Sequence, residues 1–238
     1  MKSALLHLFQ IVWREEILPE GWMKTSLLQL YKSRGDFREL GNWRNIHLKE
    51  ELPKMFGYVL VSKIKEKIMR NMSPFQIGAK KGHRAQEHIF VIKSMMNLYE
   101  MRKKPLLIQL YDVAKFFDKE HLRDVMSKVH QLGIRGKEYR LLFSMNEKRI
   151  IKVITSVGET DETEVKEGIG QGTLDGAITS SAGLGNGVDK FFSSSRWEVS
   201  YGSVRLQPLL IVDDIGRMPC NLEAEKAGNV FLSSPMDS

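Results

Sequence analysis

The feature that most constrains this chain is a pair of short apolar runs that lead directly into aspartates. Residues 106–111 have the length of a strand and run into Asp112, and residues 204–212 run into the adjacent pair Asp213 and Asp214. Adjacent carboxylates at the end of an apolar strand repel each other and lose hydration, so they are costly unless a cation neutralises them. Since Mg²⁺ takes oxygen ligands, the pattern predicts a divalent-metal site.

Three carboxylates are enough for the core of a phosphoryl-transfer site. Two metal ions about 3.5–4 Å apart can stabilise both the attacking and the leaving oxygen of such a reaction. An Asp-Asp dipeptide alone is also common in exposed turns, and an aspartate after one strand is equally weak evidence. The joint pattern is therefore the observation that favours a metal site over a surface turn.

Charge is divided unevenly along the chain. Residues 1–150 hold 29 lysines and arginines against 16 acidic residues, whereas residues 151–238 hold 7 against 13. A basic block joined to an acidic one is typical of a polyanion-binding surface beside a carboxylate site. A solvated basic face without a ligand explains the charge alone equally well.

The single cysteine, Cys220, excludes a disulfide framework and a cysteine-rich zinc site built within this chain. The N-terminal apolar run is interrupted by His7 and Gln10 and is followed by Arg14, which does not fit a signal peptide. No run approaches the roughly 20 apolar residues of a membrane-spanning helix. We therefore expect an intracellular, cytoplasmic or nuclear protein that has no membrane partner.

Apolar spacing predicts both helices and strands. The predicted helices are residues 3–16, 51–71, 85–99, 119–132, 137–145 and one beginning near 174. The predicted strands are residues 26–31, 43–48, 106–111, 149–155, 164–169 and 204–212.

Three segments resemble motifs of one known family, and they occur in that family's order. Residues 112–118, DVAKFFD, resemble the D-x-x-K-A-F-D signature of reverse transcriptases from non-LTR (LINE-type) retroelements. Residues 168–172, GIGQG, resemble the G-V-x-Q-G loop, and residues 211–214, IVDD, stand where the family carries Y-A-D-D.

The earlier part of the chain carries the resemblance further. Lys32, Gly35, Asp36 and Arg44 match the pattern K-x-x-G-D followed by Y-R-P-I, and residues 76–90 are similar to Q-x-G-F-R-x-G-R-S-T-x-D-x-I. Each motif is modestly specific, but six in order, over roughly residues 15–216, are strong together.

The resemblance implies an α+β, right-hand polymerase fold. Residues 1–104 would form the fingers region with an N-terminal helix, residues 105–232 the palm, and residues 233–238 a disordered tail. It also implies that a thumb and other domains of a longer polyprotein are missing from this chain.

The implied activity is that of an RNA-directed DNA polymerase, with an RNA template, a primer and dNTPs as partners. Asp112, Asp213 and Asp214 would hold two Mg²⁺ ions, with Mn²⁺ as an alternative. Phe117 would be the steric gate that excludes a ribose 2′-hydroxyl, although without the resemblance a core aromatic is the favoured explanation.

Four further residues take roles by the same resemblance. Lys32 and Arg44 would contact the incoming triphosphate, and Gln171 and Gly172 would lie near the template and nucleotide. Taken alone, the first two are also ordinary hairpin surface charges, and the last two an ordinary turn. Trp43, Phe75 or Phe116 would be candidates for stacking on bases.

Departures from the pattern leave alternatives open. Asn45 replaces a proline, Phe116 an alanine, and Ile211 the tyrosine, although no carboxylate ligand is lost. The main alternative is a catalytically inactive nucleic-acid-binding remnant of the same fold. An RNA-templated RNA polymerase, against which Phe117 argues, and a purely structural domain are the others.

Overall fold

The computed structural model describes residues 2–78, 80–112, 121–155, 157–165, 169–170, 176, 178, 181, 200–201, 204–206, 208–211 and 214–219. The helices are α1 (Lys2–Glu15), α2 (Glu51–Asn71), α3 (Ala85–Met101), α4 (Leu122–Gln131) and α5 (Gly136–Glu147). The strands are β1 (Lys24–Tyr31), β2 (Trp43–Lys49), β3 (Gln109–Asp112), β4 (Arg149–Thr155), β5 (Gly158–Glu159), β6 (Thr163–Val165), β7 (Ser200–Tyr201), β8 (Val204–Arg205), β9 (Leu209–Ile211) and β10 (Asp214–Arg217). Short 3₁₀ turns lie at Glu20–Met23 and Leu40–Asn42.

The chain divides into two compact units, each made of two separate stretches. The first unit comprises Met1–Asn71 with Lys115–Ser180, and the second comprises Met72–Ala114 with Ser181–Ser238. Both units draw residues from either side of the predicted boundary between residues 104 and 105. The assignment of residues 1–104 to fingers and 105–232 to palm stays a prediction.

The first unit is built on a mixed sheet in the order β2-β1-β4-β5, with β6 also paired to β4. Strands β1 and β2 form the predicted antiparallel hairpin, and β1 runs parallel to β4. The segment 164–169 was predicted to pair with β4, and residues 163–165 form this pairing. Residues 166–168 lie outside the described residues.

Helix α2 supplies much of the core of this unit, because its apolar residues recur every four positions. Phe56, Leu60, Ile64 and Ile68 are each at most 2% exposed. The Phe56 ring packs against the rings of Trp22 and Phe9, whose centroids both lie 5.4 Å away. These contacts anchor the amphipathic α1 and confirm the helices predicted at 3–16 and 51–71.

The second unit contains a three-stranded sheet in the order β3-β10-β9, a β7–β8 hairpin and helix α3. Met95 of α3, Leu209 and Met218 form its buried cluster. Residues 75–77 run parallel to β9, since the Leu210 N–H donates to the Phe75 carbonyl at 3.1 Å and the Ile77 N–H to the Leu210 carbonyl at 2.9 Å. This segment covers the remaining edge of β9.

Two predicted strands differ from those observed. The strand predicted at 204–212 is wrong as a single element, because Leu206 and Pro208 lie outside any strand and separate β8 from β9. Proline has no N–H to donate to a sheet ladder, which explains the break. The strand predicted at 106–111 begins only at Gln109, while Leu106 and Ile108 pack against the Met95 cluster.

The remaining helices agree with the predictions where the structure describes them. Helices α3, α4 and α5 coincide closely with the helical segments predicted from 85, 119 and 137. Of the helix predicted from residue 174, Gly176, Ile178 and Ser181 are helical, and the rest lies outside the described residues. In the part of the chain that the structure describes, no helix is both long and apolar enough to cross a membrane.

Candidate active site

Asp112 and Asp214 lie directly opposite each other in the second unit. Strands β3 and β10 are antiparallel, and the register pairs Asp112 with Asp214 and Tyr111 with Ile215. Cross-strand partners project from the same face of a sheet with their Cβ atoms about 4.5–5.5 Å apart. The structure therefore brings together two of the three predicted metal-binding carboxylates.

The alternation of buried and exposed residues determines the face of the sheet on which Asp214 lies. Ile215 and its cross-strand partner Leu210 are 1% and 0% exposed, which places them on the buried face of the sheet. Because successive side chains alternate between faces, Asp214 projects to the opposite, exposed face. A slip of β10 by one residue would bury Asp214 and expose Ile215, so core burial keeps Asp214 on the exposed face, where the ladder with β3 places Asp112 opposite it.

Asp213, the third predicted ligand, lies outside the described residues. Strands β9 and β10 are antiparallel, with Ile211 paired to Asp214 across the ladder. Asp213 thus belongs in sequence to the connection between these two strands, next to Asp214. Among the described residues, no group of three or more metal-binding side chains is found.

The electrostatics of the pair favour a cation. Both aspartates are exposed, and neither carboxylate has a hydrogen bond or an ion pair within the part of the chain that the structure describes. Like charges directly opposite each other in a sheet are destabilising. Two unengaged carboxylates at this spacing fit a hard divalent cation such as Mg²⁺, which prefers oxygen ligands.

A pocket of about 290 Å³ adjoins the two carboxylates. Its walls are mainly apolar and include Ala85 and Ile89 from α3 and Leu110 from β3, and none of its described lining residues is a lysine or arginine. Sequence reasoning did not predict this pocket. The helical spacing of Ala85, His88, Ile89 and Ile92 was the available signal, because these four residues lie on one face of α3.

His88 is the other polar side chain of interest in this pocket, and it is 9% exposed. Burial lowers the pKa of His88 and outweighs the opposing effects of the Glu87 carboxylate and of a hydrogen bond with the Phe75 backbone. His88 is consequently neutral at pH 7. The described residues of the pocket wall therefore supply no strong positive charge to neutralise the aspartates.

Lys32 and Arg44 lie in the first unit, near the end of the β1–β2 hairpin. Arg44 pairs with Leu30 across the hairpin, and Lys32 follows directly after the end of β1 at Tyr31. The Lys32 Nζ donates a hydrogen bond to the Gly41 carbonyl at 3.0 Å. Within the described residues, neither side chain forms an ion pair with a carboxylate.

The other predicted site residues have different outcomes. Phe117, Gln171 and Gly172 lie outside the described residues, as does Phe116. Phe75 packs against the Met95 cluster, and the Trp43 ring packs against Tyr31 with centroids 5.4 Å apart. Both of these rings have structural roles, which weakens the prediction that they stack on bases.

Comparisons with known proteins identify the fold. No family model matches this sequence. Apo telomerase from Candida tropicalis, truncated from its C-terminal domain, superposes with a TM-score of 0.61 at 12% identity, over 92% of this chain and 48% of that chain. Telomerase from Candida albicans, in complex with a TWJ fragment of telomeric RNA, matches with a TM-score of 0.58 at 12% identity, over 97% of this chain and 44% of that one.

The corresponding RNA complex of Candida tropicalis telomerase gives a TM-score of 0.61 at 14% identity, over 96% of this chain and 42% of that chain. The chain thus spans somewhat less than half the length of the telomerase chains that it matches. At these identities the likeness concerns the fold. The protein has the α+β fold of a reverse-transcriptase-like polymerase.

Proposed function

We propose that this chain is the fingers and palm of a reverse transcriptase similar to those of non-LTR (LINE-type) retroelements. It would add deoxynucleotides to a primer 3′-end on an RNA template. The observation that carries the proposal is the pairing of Asp112 with Asp214 across β3 and β10. The telomerase-like fold and the ordered sequence motifs support it independently.

In this reaction the primer 3′-hydroxyl loses its proton to solvent and its oxygen forms a bond to the α-phosphorus of a dNTP. The bond from that phosphorus to the oxygen that bridges it to the β-phosphorus breaks, and pyrophosphate leaves. Asp112, Asp214 and Asp213 would bind two Mg²⁺ or Mn²⁺ ions through their carboxylate oxygens. Bound divalent ions supply activation of the 3′-hydroxyl and stabilisation of the leaving oxygen. The exposed face on which Asp112 and Asp214 lie keeps these oxygens accessible to a substrate.

The remaining roles follow from the sequence resemblance. Lys32 and Arg44 would neutralise the triphosphate, a role suited to two cations at the end of one hairpin. The Phe117 ring would exclude ribonucleotides, and Gln171 with Gly172 would approach the template and the nucleotide. RNA binding by the Candida telomerase structures supports a nucleic-acid partner for this chain as well.

The test is primer extension on an RNA template with the full chain, comparing wild type, Asp214→Asn and the control Asp161→Asn. Asp161 is an exposed aspartate between β5 and β6, in the first unit. Loss of one metal ligand removes several kcal/mol of transition-state stabilisation, so we expect Asp214→Asn to lower incorporation at least about a hundredfold. Asp161→Asn should retain wild-type incorporation.

A second measurement separates the enzyme from an inactive remnant. Mn²⁺ should broaden the NMR signals of residues near Asp112 and Asp214 in the wild type and much less in Asp214→Asn. Broadening without incorporation would instead establish a metal-binding, catalytically inactive remnant. If neither broadening nor incorporation is seen, the proposal is wrong.

A further inference from the structure

The apolar pocket beside Asp112 and Asp214 is built within the second unit. All of its described lining residues fall in the two stretches of that unit. Leu110 pairs with Gly216 across β3 and β10, and Gly216 pairs with Leu209 across β10 and β9. This apolar row lies two residues along the ladder from the pair of aspartates, so it shares their face of the sheet at a spacing of about 7 Å. The pocket thus places apolar and anionic groups side by side.

Gly216 leaves room in the middle of this row, because it has no side chain. A Cβ atom added there would lie 3.4 Å from Leu110 Cδ2 and 3.9 Å from Leu209 Cβ, which are ordinary van der Waals distances. An alanine would therefore fit without a clash and would fill part of the pocket. The volume of about 290 Å³ is near the lower end of the roughly 300–1,000 Å³ that is typical of small-molecule sites. It fits one fused ring system rather than a peptide segment.

His88 places one buried polar group in this apolar wall, since its side chain is 9% exposed. Among the described residues, its only hydrogen bond is with the Phe75 backbone, and that bond raises the pKa of His88, so the ring is the donor. A neutral imidazole has one donor and one acceptor nitrogen. The acceptor nitrogen of His88 is therefore left for an N–H group of a ligand.

The charges of the pocket select a cation. Asp112 and Asp214 have no hydrogen bond or ion pair among the described residues, and none of the described lining residues is a lysine or arginine. An ammonium group carries one positive charge and three N–H donors, so it can contact both carboxylates at once. An apolar ring joined to it by two carbon atoms reaches the neighbouring row of Leu110 and Gly216.

We propose that this pocket binds a small organic cation, namely a flat ring system that has an N–H group and carries a short alkylammonium chain. The ammonium binds between Asp112 and Asp214, the ring packs beside Leu110 and over Gly216, and the ring N–H donates to His88. Binding requires neither a metal ion nor nucleic acid. Since the ammonium excludes divalent ions from the two carboxylates, such a cation inhibits nucleotide addition, and this consequence alone rests on the proposed function.

The test is isothermal titration calorimetry of the full chain with tryptamine, at about pH 7 in EDTA. Tryptophol, in which a hydroxyl replaces the ammonium, measures the contribution of the charge. An ion pair about 4 Å apart in water is worth roughly a fivefold change in affinity, so tryptophol should bind at least about fivefold more weakly. The benzothiophene analogue of tryptamine lacks the ring N–H, and the loss of one hydrogen bond should weaken its binding about two- to tenfold.

Protein variants locate the binding site. Asp214→Asn should weaken tryptamine binding about fivefold and leave tryptophol within about twofold of wild type, whereas Asp161→Asn should change neither. Leu110 and Leu40 are matched leucines, 75% and 74% exposed, but Leu110 lines the pocket and Leu40 does not. Leu110→Ala should weaken both ligands about fourfold or more, the value of one methylene withdrawn from water, and Leu40→Ala should bind like wild type. Gly216→Ala should weaken both ligands because it fills part of the pocket.

The assignment is wrong if tryptamine does not bind wild type, if tryptophol or the benzothiophene analogue binds as tightly, or if Asp214→Asn leaves the tryptamine affinity unchanged. It is also wrong if Leu110→Ala binds as tightly as Leu40→Ala, or if Gly216→Ala binds like wild type, while circular dichroism shows these variants to be folded. Failed primer extension with intact, Asp214-dependent tryptamine binding would refute only the proposed function. Asp214-dependent primer extension without tryptamine binding would refute only the organic-cation site.

Discussion

Replacing Asp214 with asparagine should stabilise the protein when no divalent cation is present. Asp112 and Asp214 are cross-strand partners, and among the described residues no cation or hydrogen-bond donor engages either carboxylate. Their mutual repulsion is then an uncompensated cost of folding. Asparagine has nearly the same shape and removes one of the two charges.

The magnitude follows from the geometry of the pair. Two unit charges about 4 Å apart in water interact by about 1 kcal/mol, and a like-charged cross-strand pair costs up to about 1 kcal/mol. Both carboxylates are exposed, so the aqueous value applies. We expect Asp214→Asn to raise the free energy of unfolding by roughly 0.5–1 kcal/mol, which is about 1–4 °C in Tm for a chain of this size.

The assay is thermal and urea unfolding of wild type, Asp112→Asn, Asp214→Asn and the double variant, in EDTA and in 10 mM MgCl₂. Either single substitution removes the repulsion between Asp112 and Asp214, so the double variant should gain little further stability. The double-mutant cycle should therefore show a coupling energy of about the same size as the repulsion. In MgCl₂ the order should reverse, since a cation that binds only the folded protein stabilises wild type. Destabilisation by Asp214→Asn in EDTA, or additive single effects, would refute this reasoning.

Three further predictions follow from the first unit. Gly35→Ala should lower the free energy of unfolding by about 1–3 kcal/mol in urea, because Gly35 has φ +77° and an added Cβ would lie 2.5 Å from the Asn42 side chain. A loss below about 0.5 kcal/mol would contradict this reasoning. Leu60 is 0% exposed, so Leu60→Ala should lower the free energy of unfolding by about 2–5 kcal/mol. Leu48 is 40% exposed, so Leu48→Ala should lower it by less than about 1 kcal/mol. Burial, helped by the charges of Arg149 and Lys49, lowers the pKa of His47 from 6.5 to about 4. Between pH 6.5 and 4, residue 47 therefore takes up a proton only in the unfolded state. As the pH falls through this window, the free energy of unfolding of wild type should fall by about 3 kcal/mol more than that of His47→Gln. Equal losses in the two proteins would rule the mechanism out.

The parts of the fold that sequence predicted well are those in which local periodicity and core burial coincide. Helix α2 was predicted at its observed bounds because Phe56, Leu60, Ile64 and Ile68 form one buried stripe. Strand β4 was predicted at residues 149–155 from its strand-like sequence pattern alone, since Arg149 is buried, Thr155 is exposed and the residues between them are only partly buried. The proximity of Asp112 and Asp214 was implied by the sequence resemblance, which assigns both residues to one metal site, and not by periodicity.

The features that sequence did not predict depend on contacts between distant segments. The parallel pairing of β1 with β4, and of residues 75–77 with β9, leaves no periodic signal in either partner. The exposure of Phe37 was also not predictable, because a single apolar residue in the polar loop between β1 and β2 could be either buried or exposed. Its exposure becomes evident only from the hydrogen bonds within that loop. The apolar pocket beside Asp112 also arises only when α3 is placed next to β3.

The placement of the like-charged pair argues for a selected function rather than an accident of folding. Burial of Ile215 keeps Asp214 on the exposed face of β10, where it lies opposite Asp112 even though one asparagine would relieve the repulsion. The described residues around the pocket supply no lysine or arginine to balance the pair, while His88 is held neutral by burial. A structural role would be served better by an ion pair, whereas a metal-binding role requires carboxylates that no protein cation has already neutralised. The cost of the repulsion in the absence of metal is therefore the physical signature by which the proposed site can be recognised.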